Sequence, residues 1–566
     1  MNSYDLTLLI LLPALLIATT PFAGSWMVRV LEGEIPNFLK WIGHLETLLY
    51  RLLGINPHED MSWRQYALAL VSFNLAGIVI LLGLLSFQSF LPLNPQQVGN
   101  LDLGVALNTA VSFVTNTNWQ TYAGESQLSY FSQMLGVGVQ NFLSAATGIT
   151  VIAALARGLR QNQVSSLGNF WANLTRTTLY VLLPLCFILA VVLLSQGVVM
   201  SFRPYAIAHT LEGTTQTIPL GPAASQIAIK QIGTNGGGFF GANSAHPFEN
   251  PTPLTNFLEI FAMLFLPAAC VDAFGRMTKA HKHAWAILAV MGLFLTTAIA
   301  CSLYAETHPA NGLIEAGKNI TMEGKETRHG VVSSVVWSQV TTATSTGATN
   351  ASQGSLSPIT TGVACLNMLL GEIVFGGVGS GLYGMVMMIT LTVFLAGLMV
   401  GRTPEYLGKK IESHEVCAAA IAVLLPCGLV LLGCVGSFYL EAGRSGIGSH
   451  GPHAITEVLY GWASMANNNG SAMGTLDATK PFYLWAGSLV MILGRFGVIL
   501  PVLYFAGSMS QKRLTPPSAG TFPTDGIVFC ILLAGMILII AGLTYFPALT
   551  IGPFLEHLLT KSGQTF

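Results

Sequence analysis

The sequence predicts an all-α polytopic membrane protein: ten transmembrane helices, with four pseudo-symmetric repeats of span, pore helix, filter and span around one pore, plus an extra helix at each end. Three observations predict it. The chain is strongly apolar, long hydrophobic windows recur ten times, and four short polar motifs separate them at near-constant spacing. Of 566 residues 52% are hydrophobic and 9% charged, with a mean hydropathy of +0.61, against roughly 25% charged residues in a soluble protein. The bilayer is therefore the chain's solvent. A net charge of -1 gives no case for nucleic acid, and no basic run is long enough for a lipid-binding tail. The eight cysteines fall in or beside apolar runs without a CxxC and read as packing residues.

Taken in order, the first apolar stretch, 6–23, follows Met-Asn-Ser-Tyr-Asp without the positive charge of a secretory signal, and reads as a retained first transmembrane helix. Windows near 20 residues place further spans at 66–87, 130–156, 177–198, 254–274, 284–304, 359–400, 416–440, 482–506 and 527–546. Ten spans put both termini on one side. Fifteen of the 24 Lys and Arg residues lie in loops after odd-numbered spans, and eight, Lys318 among them, lie after even-numbered spans or in the tail. The positive-inside rule makes the first set cytoplasmic, so both termini and all four motifs face outward. The chain then divides into a first helix with its linker (1–60), four pore repeats (61–160, 161–280, 281–412 and 413–515) and a last helix with the tail (516–566).

The four motifs are Val-Thr-Asn-Thr-Asn-Trp-Gln (114–120), Gly-Thr-Asn-Gly-Gly-Gly (233–238), Ala-Thr-Ser-Thr-Gly (343–347) and Ala-Asn-Asn-Asn-Gly-Ser (466–471). Each follows a semi-apolar run too short to cross a bilayer, at 101–113, 223–232, 331–342 and 455–465. Such runs fit re-entrant pore helices, tolerated at membrane depth only where their ends are buried or line water. Aligning Asn118, Gly236, Gly347 and Gly470 gives spacings of 118, 111 and 123 residues, the mark of one repeated unit.

Chemistry explains their composition. A potassium site replaces the hydration shell with oxygens, mostly backbone carbonyls, so the chain there needs Gly, Ser, Thr and Asn, which permit extended or left-handed turns and bring carbonyls close to an axis. The negative ends of pore-helix dipoles favour a cation at the centre. The candidate ion-binding residues are Thr115, Asn116, Thr117 and Asn118; Thr234, Asn235, Gly236 and Gly237; Thr344, Ser345, Thr346 and Gly347; and Asn467, Asn468, Asn469 and Gly470. None of the segments is Thr-Val-Gly-Tyr-Gly, so fewer well-formed sites are expected than in a potassium channel.

These motifs, with Phe-Phe-Gly at 239–241, Asn243, the glycine-rich Leu-Gly-Glu-Ile-Val-Phe-Gly-Gly-Val-Gly-Ser-Gly-Leu-Tyr-Gly at 370–384, Gly-Arg-Thr-Pro-Glu-Tyr-Leu-Gly at 401–408 and Gly-Arg-Phe at 494–496, resemble the potassium-binding (A) subunit family of the Kdp-type potassium-transporting P-type ATPase. That family belongs to the superfamily of potassium transporters built on four channel-like repeats. The resemblance spans essentially the whole chain; Asn118, where the other three segments carry glycine, breaks the fourfold pattern. It implies potassium as the transported ion, a bacterial cytoplasmic (inner) membrane location, and partners: a P-type ATPase catalytic subunit (Kdp B) and two small membrane subunits (Kdp C and Kdp F).

Affinity and gating candidates follow. Gln120 matches a family position that influences potassium affinity, and Arg402 lies in the 401–408 motif. Glu372, in an apolar segment, should face a water-filled path or a partner charge. Arg495 interrupts the ninth span and must pair or point at the pore. Gly376, Gly377 and Gly379 sit in a hydrophobic run of about 40 residues, twice a bilayer span, which fits a broken helix or a small-residue packing face. The family resemblance makes this break a loop below the pore that blocks straight passage.

The chain carries no Gly-x-x-x-x-Gly-Lys-Ser/Thr loop and no Asp-Lys-Thr-Gly, so no nucleotide site and no hydrolysis are expected on it. Accumulating potassium over five decades needs about 7 kcal/mol, and a potential of 100 to 200 mV supplies roughly 2.3 to 4.6, so active uptake calls for the ATPase partner. The alternative is a Trk/Ktr-like channel or secondary transporter, not expected to carry the extra terminal spans or the 401–408 motif. A membrane enzyme would have to use His246, Glu249, His281 or His283, which form no HExxH.

Overall fold

The computed structural model describes residues 3–35, 37–308, 322–399, 401–516 and 522–564. Lys318 and Val400, used above for the charge count and a span end, lie outside them. Among the described residues, ten helices are long and apolar enough to cross a membrane: Tyr4–Glu32, Trp63–Ser86, Ser132–Arg160, Phe170–Ser195, Pro253–Met277, His281–Thr307, Ser380–Met399, Ser413–Tyr439, Pro481–Gln511 and Ile527–Lys561. They match the ten windows in order. Helix starts carry the expected signals: Ser62 with Gln65 and Thr252 with Thr255 form capping boxes, and Pro253 and Pro481 occupy first-turn positions.

Burial orders the spans around an axis. In an apolar 18-residue stretch of the third and of the fifth span 83% of the residues are buried, against 22% in the first, second and tenth. The third span earns its place with small residues: Ala145, Ala146, Ala153, Ala154 and Ala156 are all but inaccessible. A Cβ on Gly148 would overlap the Val378 carbonyl, and one on Gly158 the Ala506 carbonyl. Close backbone approach of this kind stabilises helix packing in lipid, where apolar burial between helices drives nothing.

Four shorter helices, Leu103–Val114, Ala223–Ile232, Gly330–Ala343 and Gly451–Ala466, lie between spans two and three, four and five, six and seven, and eight and nine. They are the four short runs seen in the sequence, and we call them pore helices one to four. The 359–400 run is two helices, Pro358–Leu369 and Ser380–Met399, joined by an irregular stretch. In that stretch Gly371, Glu372, Phe375, Gly376 and Gly379 all have positive φ, which an α-helix cannot contain. Glycines 376 and 381 face each other so closely that a Cβ on either would strike the other's backbone. The glycine cluster therefore makes a break.

The 401–408 motif forms a tight hairpin, Glu405–Tyr406 against Lys409–Lys410, turned by Leu407 (φ 49°) and Gly408 (φ 77°). It delivers the Lys409 ammonium to the carbonyls of Gly158 (2.9 Å), Met509 (2.6 Å) and Gln161 at the ends of the third and ninth spans, where helix dipoles favour a cation.

Candidate functional site

Each pore helix ends in a short segment with the same backbone signature. Positive φ occurs at Asn116 and Asn118 (64° and 53°), at Thr234 and Gly236 (48° and 82°), at Ser345 and Gly347 (55° and 81°) and at Asn468 and Gly470 (58° and 99°). The intervening residues Thr117, Asn235, Thr346 and Asn469 lack it. Alternating hand lets the carbonyls of successive residues share one side of the segment, and the N–H groups bond back to the helix. Accordingly the Ser112 carbonyl accepts from Thr117 and Asn118 N–H (2.9 and 3.1 Å), Lys230 from Asn235 and Gly236 (2.8 and 3.1 Å), Thr341 from Thr346 (3.0 Å) and Ser464 from Asn469 (2.8 Å).

The four segments close into a ring. A Cβ on Gly236 would overlap the Thr346 carbonyl oxygen, one on Gly347 that of Asn469, and one on Gly470 that of Thr117. The first and second segments join through Asn116 Nδ2, which donates to the Thr234 carbonyl at 3.0 Å. Asn118, the odd residue of the first segment, is accommodated because Gly237 beside it has no side chain; its amide donates to Asn141 at 2.7 Å.

The remaining predicted residues serve this ring. Thr115 and Thr344 hydroxyls bond back to Val111 and Val340 carbonyls and pair with Thr117 and Thr346, 2.7 Å in each case. Asn235 donates to Asn116 (2.6 Å), Asn467 to Ala463 (3.0 Å), Asn468 to Thr117 (2.9 Å) and Asn469 to Thr341 (2.9 Å). Ser345 Oγ donates to the Asn468 carbonyl at 2.8 Å. Gln120 grips Gly238 with both ends of its amide, 3.0 Å to the carbonyl and 2.9 Å from the N–H, clamping the first segment to the second.

The broken seventh span lies directly against the ring. Val378 N–H donates to Thr234 Oγ1 (2.8 Å), Gly376 N–H donates to the Ala343 carbonyl (3.1 Å), and Gly377 leaves just enough room for Ser345. Gly379 meets Gly148 backbone to backbone. Beside the break is a cavity of about 70 Å³ lined by Glu372, Ser380, Asn467, Asn468, Gly494 and Arg495, among others. Glu372 is 2% exposed and its Oε1 has no hydrogen-bond partner among the described residues. Arg495 is also buried and reaches the Ser144 carbonyl at 3.4 Å. Arg402 is elsewhere: it follows the far end of the seventh span, about 30 Å from the break for 20 helical residues.

Sequence reasoning missed the supports behind the ring. Asn141 and Ser144 on the third span bond Asn118 and Asn116, and Lys230 with Glu249 sits behind the second segment. Only Lys230 carried a sequence signal, since the same spacing that aligns the four segments puts Ser112, Thr341 and Ser464 at its position.

Comparison with known proteins agrees with this architecture. The family described as "Potassium-transporting ATPase A subunit" matches residues 10–558. The chain is 48% identical over 561 residues to a protein of Pseudomonas aeruginosa (99% of each chain), 49% over 563 residues to one of Leptospira interrogans (99% of each), and 50% over 557 residues to one of Herpetosiphon aurantiacus (95% of this chain, 96% of the other). All three are named potassium-transporting ATPase potassium-binding subunit. Among solved structures, the potassium transporter TrkH of Vibrio parahaemolyticus aligns with a TM-score of 0.52 at 14% identity, covering 85% of this chain and 96% of that one, which shows a shared fold. Family match and full-length relatives together establish that this chain belongs to the potassium-transporting ATPase A subunit family.

Proposed function

We propose that the chain binds extracytoplasmic potassium in its four-segment filter and passes it on within an ATP-driven, high-affinity uptake pump. The observation that carries this reading is the paired left-handed φ at 116/118, 234/236, 345/347 and 468/470, which repeats the sequence spacings and supports a common arrangement of backbone carbonyls from the four segments. No carboxylate stands in any of the segments, so an ion is held by neutral oxygens, which suits a large, weakly hydrated monovalent cation better than a small or divalent one. The full-length relatives are named potassium-binding subunits, which supports potassium as the ion.

The chain is a non-hydrolytic subunit, and the energy enters through a separate P-type ATPase chain, Kdp B, with the small membrane subunits Kdp C and Kdp F. It lies in the bacterial inner membrane with both termini and the filter mouth extracytoplasmic, and its filter segments belong to the four repeats bounded at 61–160, 161–280, 281–412 and 413–515. Below the filter, the 370–379 break obstructs a straight path, so the ion turns sideways past Glu372 and the adjoining cavity. Purification of the tagged chain from membranes tests the assembly: a co-purifying protein with a phosphorylatable aspartate and potassium-stimulated ATP hydrolysis is expected. Recovery of the chain alone, in membranes where it supports uptake, would refute the pump.

A further inference from the structure

Three pore helices carry a hydroxyl residue at the position that holds the filter from behind, Ser112, Thr341 and Ser464; the second carries Lys230. All four use their backbone carbonyls on filter N–H groups. Lys230 adds a fully buried ammonium, ion-paired with the fully buried carboxylate of Glu249. The ammonium also donates to Asn243 Oδ1 at 2.8 Å, and Asn243 Nδ2 donates to the Gly236 carbonyl at 2.7 Å. Gly236 is thus held on both sides by one residue: its N–H directly by the Lys230 carbonyl, its own carbonyl through Asn243. Glu249 is fixed in turn by the Phe240 N–H at 2.9 Å, and Asn243 by the Ser244 N–H at 2.8 Å.

A hydroxyl satisfies the packing at this position in the other repeats, and an unpaired buried cation behind a cation site would be costly. We propose that Lys230 is a positioning residue that sets the filter's discrimination among alkali cations, acting through Asn243 on Gly236, with Glu249 cancelling its charge so that the transported ion is not repelled. The proposal rests on the filter reading above. A segment held at Gly236 in this way cannot let its preceding carbonyls close in on a smaller ion or yield to a larger one, and release of the hold flattens selectivity.

The test uses the assembled complex and compares potassium with rubidium activation of ATP hydrolysis. Lys230→Met alone strands the Glu249 carboxylate and can block assembly, so the deciding variant is Lys230→Met with Glu249→Gln, which removes both charges. Expected is a rise in KM for potassium of about tenfold, equivalent to about 1.4 kcal/mol, with kcat within about twofold and a narrowed potassium-to-rubidium preference. Lys325→Met with Glu306→Gln is the control, because Lys325 and Glu306 form an equally buried pair at 3.1 Å and Lys325 bonds the Ser355 carbonyl rather than a filter segment; its ion ranking stays unchanged. A double variant with wild-type KM and ranking overturns the proposal. Gly347→Ser, run in parallel, separates the two levels: if it alters the ranking while the double variant does not, only the clamp fails; if neither does, the filter reading itself fails.

Discussion

Replacing Gly347 by serine puts one side chain where the ring has no space. Two costs can be separated. The φ of 81° is left-handed, which costs an L-residue roughly 1–2 kcal/mol; Asn116, Thr234, Ser345 and Asn468 already tolerate such a φ in this ring, so that cost is bearable. The second is steric: the new Cβ would overlap the Asn469 carbonyl oxygen and crowd the Ser471 N–H, both backbone, so the fourth segment must shift. A displacement of about 1 Å in a preorganised site costs on the order of 100-fold in function, or about 2.7 kcal/mol. The variant should therefore raise the KM for potassium about 100-fold with kcat little changed, and admit rubidium more readily. The matched comparison is Gly330→Asn at the start of the same pore helix, where φ is 77° but a Cβ meets open space. It should lower thermal stability slightly and leave KM alone. Cation-titrated ATPase assays of the assembled complex decide, and a Gly347→Ser complex with wild-type KM and ion ranking refutes the reasoning.

Other outcomes follow from the same geometry. Shortening the break by removing 376–379 should give an ATP-independent potassium current in reconstituted complexes, whereas an assembled but non-leaking variant would make the break a packing feature only. Glu372→Gln should slow ATP-coupled transport more than it weakens equilibrium potassium binding, measured by turnover and by calorimetry on one preparation. Gln120→Leu removes two hydrogen bonds of about 1 kcal/mol each between the first and second segments, and should raise KM by roughly 30-fold at most. At the fourth pore helix, burial disfavours protonated His453, but Glu556 at 2.8 Å outweighs it and raises its pKa above the usual histidine range. This pair's stabilisation is full below the unfolded pKa of about 6.5 and is lost as pH rises through the higher folded value. Melting temperature of wild type against His453→Gln should converge at alkaline pH; parallel curves would exclude the pair as the cause.

Periodicity and composition were enough for the parts of this fold that one chain segment determines by itself. The ten spans, the four pore helices and the break at 370–379 depend on apolar length, on runs too short to cross and on clustered glycine, and each was legible. The aligned positions Asn118, Gly236, Gly347 and Gly470 each prove to be the second left-handed residue of their segment, in keeping with Gly and Asn adopting that φ more readily than other residues. What joins distant segments was not legible. Asn118 stands where the others carry glycine because Gly237, 119 residues away in sequence, leaves it room, and Asn141 and Ser144 look like ordinary polar residues of a span until the fold turns them toward the ring of four segments. Helix ends were also blurred: the first span continues to Glu32, and the last passes a kink at Gly552 to reach Lys561.

The claim that four segments of one chain form a single potassium filter is tested most directly by locating the ion. Rubidium scatters anomalously and fits a potassium site, so an anomalous difference map of the rubidium-loaded complex against a sodium-only preparation reads its position without any assumption about transport. The account predicts a peak on the axis about 3 Å from backbone carbonyls of all four segments, at the level of Asn116, Thr234, Ser345 and Asn468 or of the residues following them, and its loss in Gly347→Ser. A peak coordinated by one or two segments only, or one confined to the Glu372 cavity with the ring empty, would contradict it.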